Sequence, residues 1–537
     1  MPIASWGTEV RRRKHGTPFL VFEPRPASLR ELFAAGERWA DREHVVAGDE
    51  RLTFAEVARQ ARRAACELQG AHGVRPGDTV LLVGFNSLAW LVGFWGIVEA
   101  GGVVVLGNSW WSAAELQHAV SATSPTVIVA DTAAARLVPP GGRWVDLQQL
   151  ASDGDEGKLD APVPRSEDDP AVVIFTSGST GLPKGVVLSH RACIAMQHAL
   201  LHLTKRLPDQ LPDDFPTDVN LQTGPLFHVG GVQGLIRAWL LGATMVLTVG
   251  RFDPAEILRL IDAERVCRWG AVPTMVSRVL ASGDLPRHDR STLRSLTVGG
   301  SPVPPGMFDA IRAAFPNAQR GVTQIYGLSE AGGTLAMASS ADLQAHPGTV
   351  GRPLAVVELA IDRPGPDGVG EILSRSPGQM TGYWGDAANT PIDEEGWLRT
   401  GDLGRIDDDG YLYITGREKD VIIRGGENIA SAHVEAALRT HPAIDDVAVV
   451  GLPDADLGEV VGAVISLRHG SELTTADLAR HAQTHLAYFE VPTRWWDYDG
   501  AFPLTASGKV DKPALRRGFP NKVAPHTEPH SRKGAVS

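Results

Sequence analysis

AVVIFTSGSTGLPKGVVLSH, residues 171–190, is the stretch that decides the architecture. An apolar run from Val172 to Phe175 leads into Thr176 to Gly181, where every residue is Ser, Thr or Gly; Leu182, Pro183, Lys184 and Gly185 then open a second apolar run ending at Leu188. Backbone N–H groups reach phosphate oxygens only where side chains are small, and Gly178, Gly181 and Gly185 allow that approach. Thr176, Ser177, Ser179 and Thr180 add hydroxyl donors, and Lys184 adds a mobile positive charge. The stretch reads as a loop between two strands that grips a polyphosphate, hence a nucleotide. Gly/Ser runs also serve as flexible linkers, a role at odds with the apolar strands on both sides. An ordinary P-loop needs Gly-x-x-x-x-Gly-Lys-Ser/Thr opening a helix; here Pro183 precedes the lysine and a strand follows it.

Working outward, 537 residues exceed what one core supports, so two or more domains are expected. The formal charge, 51 − 63 = −12, gives no basic balance for nucleic acid or an anionic membrane surface. The run Arg11 to Lys14 reads as a solvated segment. Cys66, Cys193 and Cys267 are odd in number and far apart, which fits a reducing cytoplasm rather than a disulfide framework or metal site. Glu23 and Pro24 interrupt the apolar residues after Thr17, so no signal peptide is expected. No run reaches the roughly 18–20 apolar residues of a membrane span, so no integral membrane segment is expected either.

From residue 28 to 415, short β-branched runs alternate with amphipathic stretches, the α/β pattern. Strands are expected at Thr79–Val83, Val103–Leu106, Thr126–Ala130, Met245–Val249 and Ser295–Val298, with a helix over Leu88–Glu99. Asp407 to Gly410 reads as a hairpin turn. Beyond it the spacing predicts helices at 431–440 and 474–486 and strands near 446–451 and 460–467. The expected fold is α/β, with a large multi-layer N-terminal domain of sheets and helices over 1–418 and a small α+β C-terminal domain over 419–537. Its tail, from about Asn521, has the composition of a disordered segment.

Other segments carry chemistry. In QIYGLSE (324–330), preceded by VGGSP (298–302), an aromatic ring can stack on a base and a carboxylate near a hydroxyl can hold Mg²⁺ against phosphate. Taken alone, Tyr326 could equally be core and Glu330 surface. In GWLRTGDL (396–403) and GREKD (416–420), a carboxylate can accept from both hydroxyls of a ribose and a guanidinium can reach the same sugar, although Asp402 also suits a turn after Gly401. Paired glycines in IRGGEN (423–428) mark a close approach or a plain turn. Lys509 in FPLTASGKVDK (502–512) is either a mobile catalytic lysine or a solvated one.

Together these segments resemble the motifs of the adenylate-forming superfamily, which includes acyl-CoA synthetases, nonribosomal-peptide adenylation domains and luciferases. The resemblance implies that Gly300, Ser301 and Pro302 line the adenine pocket, that Tyr326 and Gly327 lie against the base, that Ser329 contacts the α-phosphate, and that Glu330 binds Mg²⁺. The family more often has Thr at the position of Ser329. It implies ribose contacts for Asp402 and Arg417, a hinge at Lys419 for a mobile small domain, a coenzyme A-flanking loop at Gly425, Gly426 and Glu427, and catalytic roles for Lys184, Glu330 and Lys509. The implied reaction joins a carboxylic acid to AMP from ATP and then to coenzyme A, with a homodimer among the compatible assemblies.

The segment PLFHVGGVQG (225–234) matches the family's acyl channel, gated by His228. Val229, Gly230, Gly231 and Gly234, with Gly332 beyond Glu330, are expected to line it and leave volume unfilled. No Lys, Arg or second His follows within that segment, so a bulky, largely apolar acid is expected rather than acetate or a dicarboxylate. A ligase loading a carrier protein, an enzyme running one half-reaction, a luciferase-like oxidase and a nucleotide-binding regulator are the competing readings.

Overall fold

The computed structural model describes residues 5–13, 16–152, 157, 159, 166–176, 183–304, 306–386, 389–424, 427–454, 456–468, 470–471, 473–505 and 509–520. Ser177, Gly178, Ser179, Thr180 and Gly181 of the expected phosphate loop lie outside the described residues, as do Gly425, Gly426, the tail from Asn521 and the side chains of Lys419 and Glu427.

Two large sheets carry the N-terminal part. In the seven-stranded sheet the order is Gly382–Tyr383, Lys184–Ser189, Pro170–Thr176, Val103–Gly107, Thr79–Val83, Val127–Ala130 and Trp144–Asp146. The nine-stranded sheet runs Arg352–Pro353, Gly333–Ala338, Val322–Leu328, Ser295–Gly299, Arg268–Ala271, Val219–Gln222, Thr244–Leu247, Glu43–Ala47 and Glu50–Thr53. Helices fill the space between them. Leu29–Gly36, Phe54–Gly70, Leu88–Glu99, His190–Leu203 and Val229–Leu241 contribute to one core with Val80, Leu82, Val104 and Leu106 of the first sheet and Val45, Met245 and Leu247 of the second. The helix Leu88–Glu99 is apolar all round because it is enclosed on every side. Its one acid, Glu99, pairs with Arg30 at 3.0 Å. Helices Pro254–Ala263, Pro273–Leu280 and Met307–Ala314 cover the far face of the nine-stranded sheet.

The strands and helix expected at 79–83, 103–106 and 88–99 form where the pattern places them. The strand expected over Met245–Val249 runs Thr244–Leu247 instead, leaving Val249 63% exposed beyond the sheet. Four antiparallel strands, Glu358–Asp362, Gly370–Arg375, Leu398–Ile406 and Leu412–Arg417, make a third sheet, and residues 407–411 form the turn between its last two. After a 3₁₀ turn at Glu418–Asp420, the chain builds separate cores. Ile422, Val434, Val449, Val461 and Ile465 close one face of a five-stranded sheet, and Val450, Val460, Phe502, Leu515 and Phe519 close the other. The strand Arg494–Asp497 on that sheet was not expected from the sequence. Among the described residues no helix is long and apolar enough to cross a membrane.

Candidate active site

Thr176 and Lys184 are register partners at the ends of adjacent antiparallel strands. His118 holds the loop's exit through Nε2 and the Pro183 carbonyl, 3.0 Å apart. Across the gap the Thr176 hydroxyl donates to Glu330 Oε1 at 3.4 Å, and the Tyr383 hydroxyl donates to the same oxygen at 3.5 Å. Burial and the Glu330 charge push the Tyr383 phenol up to about 12, so it stays a donor. Lys184 lies 4.9 Å from the Tyr383 ring centre and 4.0 Å from Asp386. Sequence reasoning missed Tyr383 and Asp386; they lie about 200 residues downstream of the loop and reach it only through the two-residue strand Gly382–Tyr383, which pairs with Val186 and Val187.

A second cluster surrounds Asp402, which is 4% exposed. Arg417 is its register partner on the next strand and sets Nε 2.8 Å from Oδ1. The Tyr326 hydroxyl donates to Oδ2 at 2.8 Å. Burial, reinforced by the Asp402 charge, pushes the Tyr326 phenol well above its ordinary value. For Arg417, burial alone would lower the guanidinium, but Asp402 and Asp420 outweigh it and hold it above the ordinary value. Each carboxylate oxygen has a second lone pair, so the pair can still accept vicinal hydroxyls.

Gly300 lies at the end of the strand Ser295–Gly299 with φ +83, and a Cβ there would sit 3.9 Å from the Lys509 Cε. Lys509 belongs to the C-terminal cores, yet it reaches this point of the N-terminal sheet. Its backbone pairs with Thr505: the Thr505 N–H donates to the Lys509 carbonyl at 2.7 Å and the Lys509 N–H donates to the Thr505 hydroxyl at 3.2 Å. Burial, and then the Lys509 charge, hold His228 down at about 4, so it is a neutral imidazole. Its Nε2 is buried without a hydrogen-bond partner among the described residues.

His228 caps the helix Val229–Leu241, and the approach to it is rigid. The Asn86 side chain donates to the Gly224 carbonyl at 3.0 Å and accepts from the Leu226 N–H at 2.8 Å. Gly230 is exposed, and a Cβ on it would meet nothing within 4 Å. A Cβ on Gly234 would stand 3.0 Å from the Gln222 side chain. Gly231 differs from the expectation of unfilled volume: a Cβ on it would fall 2.4 Å from the Pro225 oxygen and 2.6 Å from the Leu226 Cα, so this glycine admits backbone rather than ligand. Gly332 is likewise a turn residue, with φ +71 and the Gly378 oxygen 2.0 Å from an added Cβ. Val229 packs against the central core. Gln233, which the sequence did not single out, donates to the Gly332 carbonyl at 2.9 Å and so ties this helix to the Glu330 segment. The side chains of Ser301 and Ser329 are half-buried, and Pro302 is exposed.

Residues 32–384 match the family model for AMP-binding enzymes, and residues 433–509 match that for the AMP-binding enzyme C-terminal domain. The chain is 33% identical to a feruloyl-CoA synthase of Amycolatopsis over 88% of its own length and 95% of the relative's. It is 31% identical to a long-chain-fatty-acid–CoA ligase of Mycobacterium tuberculosis over 88% and 94%. Among solved structures, the o-succinylbenzoate coenzyme A synthetase of Bacillus subtilis in complex with ATP and magnesium ion superposes with a TM-score of 0.77 at 28% identity, covering 91% of this chain and 98% of that one. With the first model spanning more than half its length, the chain belongs to the AMP-binding enzyme family, within the adenylate-forming acyl-CoA synthetase superfamily.

Proposed function

We propose that the protein is an AMP-forming acid–thiol ligase that activates a bulky, largely apolar carboxylic acid with ATP and passes the acyl group to coenzyme A. The observation that carries this reading is Lys509, delivered from the C-terminal cores to Gly300 and His228. A carboxylate lacks a competent leaving group. Attack by its oxygen on the α-phosphorus of ATP, with loss of pyrophosphate, makes AMP the leaving group. Attack by the coenzyme A sulfur on the acyl carbon then expels AMP.

Lys509 supplies a fixed positive charge where the acid's negative oxygen meets the α-phosphate, an electrostatic contribution of the kind that preorganised sites make. Neutral His228 adds no second cation there and closes the mouth of the acyl channel. Thr176, Lys184 and the loop Ser177–Gly181 hold the pyrophosphate side; Asp402 and Arg417 hold the ribose; Gly300 to Pro302, with Tyr326 and Gly327, hold the base. Ser329 reaches the α-phosphate.

Glu330 fits Mg²⁺. Among the described residues no group of three or more His, Cys, Asp or Glu is arranged to hold a metal ion by itself, and Mg²⁺ characteristically takes one or two carboxylates and completes its shell with phosphate oxygens and water. When bound it neutralises phosphate charge. The turn Glu418–Asp420, which contains Lys419, joins the two sets of cores, and we place there the hinge that would exchange Lys509 for the Gly425–Glu427 loop between the two steps. The relatives named for feruloyl and long-chain fatty acyl thioesters support a bulky acid, and three free cysteines suit a reducing cytoplasm. Incubation with ATP, Mg²⁺, coenzyme A and a panel of carboxylic acids, read by mass spectrometry, should give acyl-AMP and then acyl-CoA. A protein that makes thioester from preformed acyl-adenylate but no adenylate from ATP contradicts the two-step reading.

A further inference from the structure

Sheet alternation fixes what the helix Val229–Leu241 covers. Leu221, Trp269, Leu296 and Val298 turn toward the helices on the far face of the nine-stranded sheet. Register therefore places Asn220, Gln222, Arg268, Gly270, Ser295 and Thr297 on the near face, under the Val229–Leu241 helix. A helix-covered sheet face is ordinarily apolar; this one is apolar at Val45, Met245 and Leu247 but polar at Asn220, Gln222, Arg268, Ser295 and Thr297. Gly270 is exposed although its strand lies inside the sheet, and a Cβ on it would meet nothing within 4 Å. Gly230 on the helix is open in the same way, and Gly234 registers the helix over Gln222. Open space therefore lies beside Gly230 and beside Gly270, with Gly234 close over Gln222 between them.

The expectation against a second charged group in the substrate rests on residues 225–234. One turn further, on the helical face of Gly230 and Gly234, stands Arg237. Among the described residues nothing accepts a hydrogen bond from its guanidinium or forms an ion pair with it. Burial, and then the like charge of Arg268, bring it down to about 10. The surrounding charge is one-sided. Asp218 is already shared by Arg206 at 2.5 Å, Arg268 at 2.7 Å and Arg294 at 3.1 Å. The Asn220 Oδ1 is buried without a partner among the described residues, and the amide can turn its Nδ2 to the same side. Arg237 is half-buried, and a cation held partly from water with no counter-charge among the described residues is costly to a fold; a guanidinium presents the planar fork that a carboxylate matches with two bonds.

We propose that the acid activated by this ligase carries a second carboxylate at the end remote from the reacting one, and that Arg237 receives it while the apolar body lies along Gly230, Gly234 and Gly270. The proposal rests on the ligase reading above. Nine residues of helix separate His228 from Arg237, roughly 13 Å of axis, which suits a rigid aryl body between the two carboxylates.

The test compares 4-carboxycinnamic acid with 4-methylcinnamic acid, near-equal in shape, by pyrophosphate release with ATP, Mg²⁺ and coenzyme A. The wild-type enzyme should favour the diacid at least tenfold in kcat/KM. Arg237→Met should lower the diacid-to-methyl ratio at least a hundredfold, mainly through KM, and Arg237→Lys should restore part of it. Arg237→Met should unfold at no lower temperature than wild type. A wild-type preference for the methyl acid overturns the proposal without any variant, and so does an Arg237→Met ratio equal to that of wild type. If neither these acids nor a broad panel gives acyl-AMP or acyl-CoA, the ligase reading itself fails and takes the proposal with it, an outcome distinct from turnover without selectivity.

Discussion

Asp402 gives one oxygen to Arg417 and the other to Tyr326, so a single carboxylate fixes the two side chains that flank the proposed nucleotide. Asp402→Asn keeps the shape and removes the charge. Breaking a fully enclosed ion pair costs about 3–5 kcal/mol, but the Arg417 side chain is 44% exposed, and solvent screening reduces the expected loss to about 1–2 kcal/mol. The variant should therefore unfold only a few degrees lower while the KM for ATP rises at least tenfold; an unchanged KM would separate Asp402 from nucleotide binding. The pairing of residues 402 and 417 was legible as two motifs with a workable spacing, because both lie on one hairpin. Tyr383 was not legible, since its approach to Glu330 depends on two distant segments meeting at a sheet edge.

At the level of elements, the Val229–Leu241 helix is anchored at both ends. Its C-terminal half is fixed by Trp239, which donates to the Phe33 carbonyl at 2.8 Å and lies flat on the Phe33 ring, 5.1 Å between centres. Its N-terminal half is fixed by Gly231 against Pro225 and Leu226. Gly231→Ala must push that backbone apart, at about 1–3 kcal/mol, and thermal unfolding should move down by several degrees. Gly230→Leu should leave unfolding at or above the wild-type temperature, because the site is open and leucine is the better helix former. It should lower kcat/KM for bulky acids at least tenfold relative to a short one. Equal effects on long and short acids would remove Gly230 from the channel wall. Strands whose faces are both apolar, such as Thr79–Val83, were readable from sequence. Val219–Gln222 and Arg268–Ala271 were not, because their inward positions hold Asn220, Gln222, Arg268 and Gly270, and the polar lining erases the β pattern where a ligand would sit.

Over the whole molecule, separate cores form before and after Glu418–Asp420, and Lys509 of the C-terminal part reaches Gly300 of the N-terminal sheet. Stability should depend on pH through histidines buried as neutral rings. Burial holds His44, His190, His198 and His228 down at about 4. Their unfolded value is near 6.5, so above that pH neither state is charged and nothing is lost. Between pH 6.5 and 4 the unfolded chain takes up protons that the fold refuses, costing about 1.4 kcal/mol per histidine per pH unit, and the loss levels off below pH 4. The unfolding temperature should fall steeply from pH 6.5 to 4.5; a flat profile there would contradict neutral burial. The two-step account comes down to Lys509, and rapid-quench measurement of Lys509→Ala against wild type tests it most directly. Acyl-AMP formation from ATP should fall about 10²–10³-fold, while thioester formation from preformed acyl-adenylate and coenzyme A stays within a few fold. Equal loss in both half-reactions, or in neither, would contradict the account.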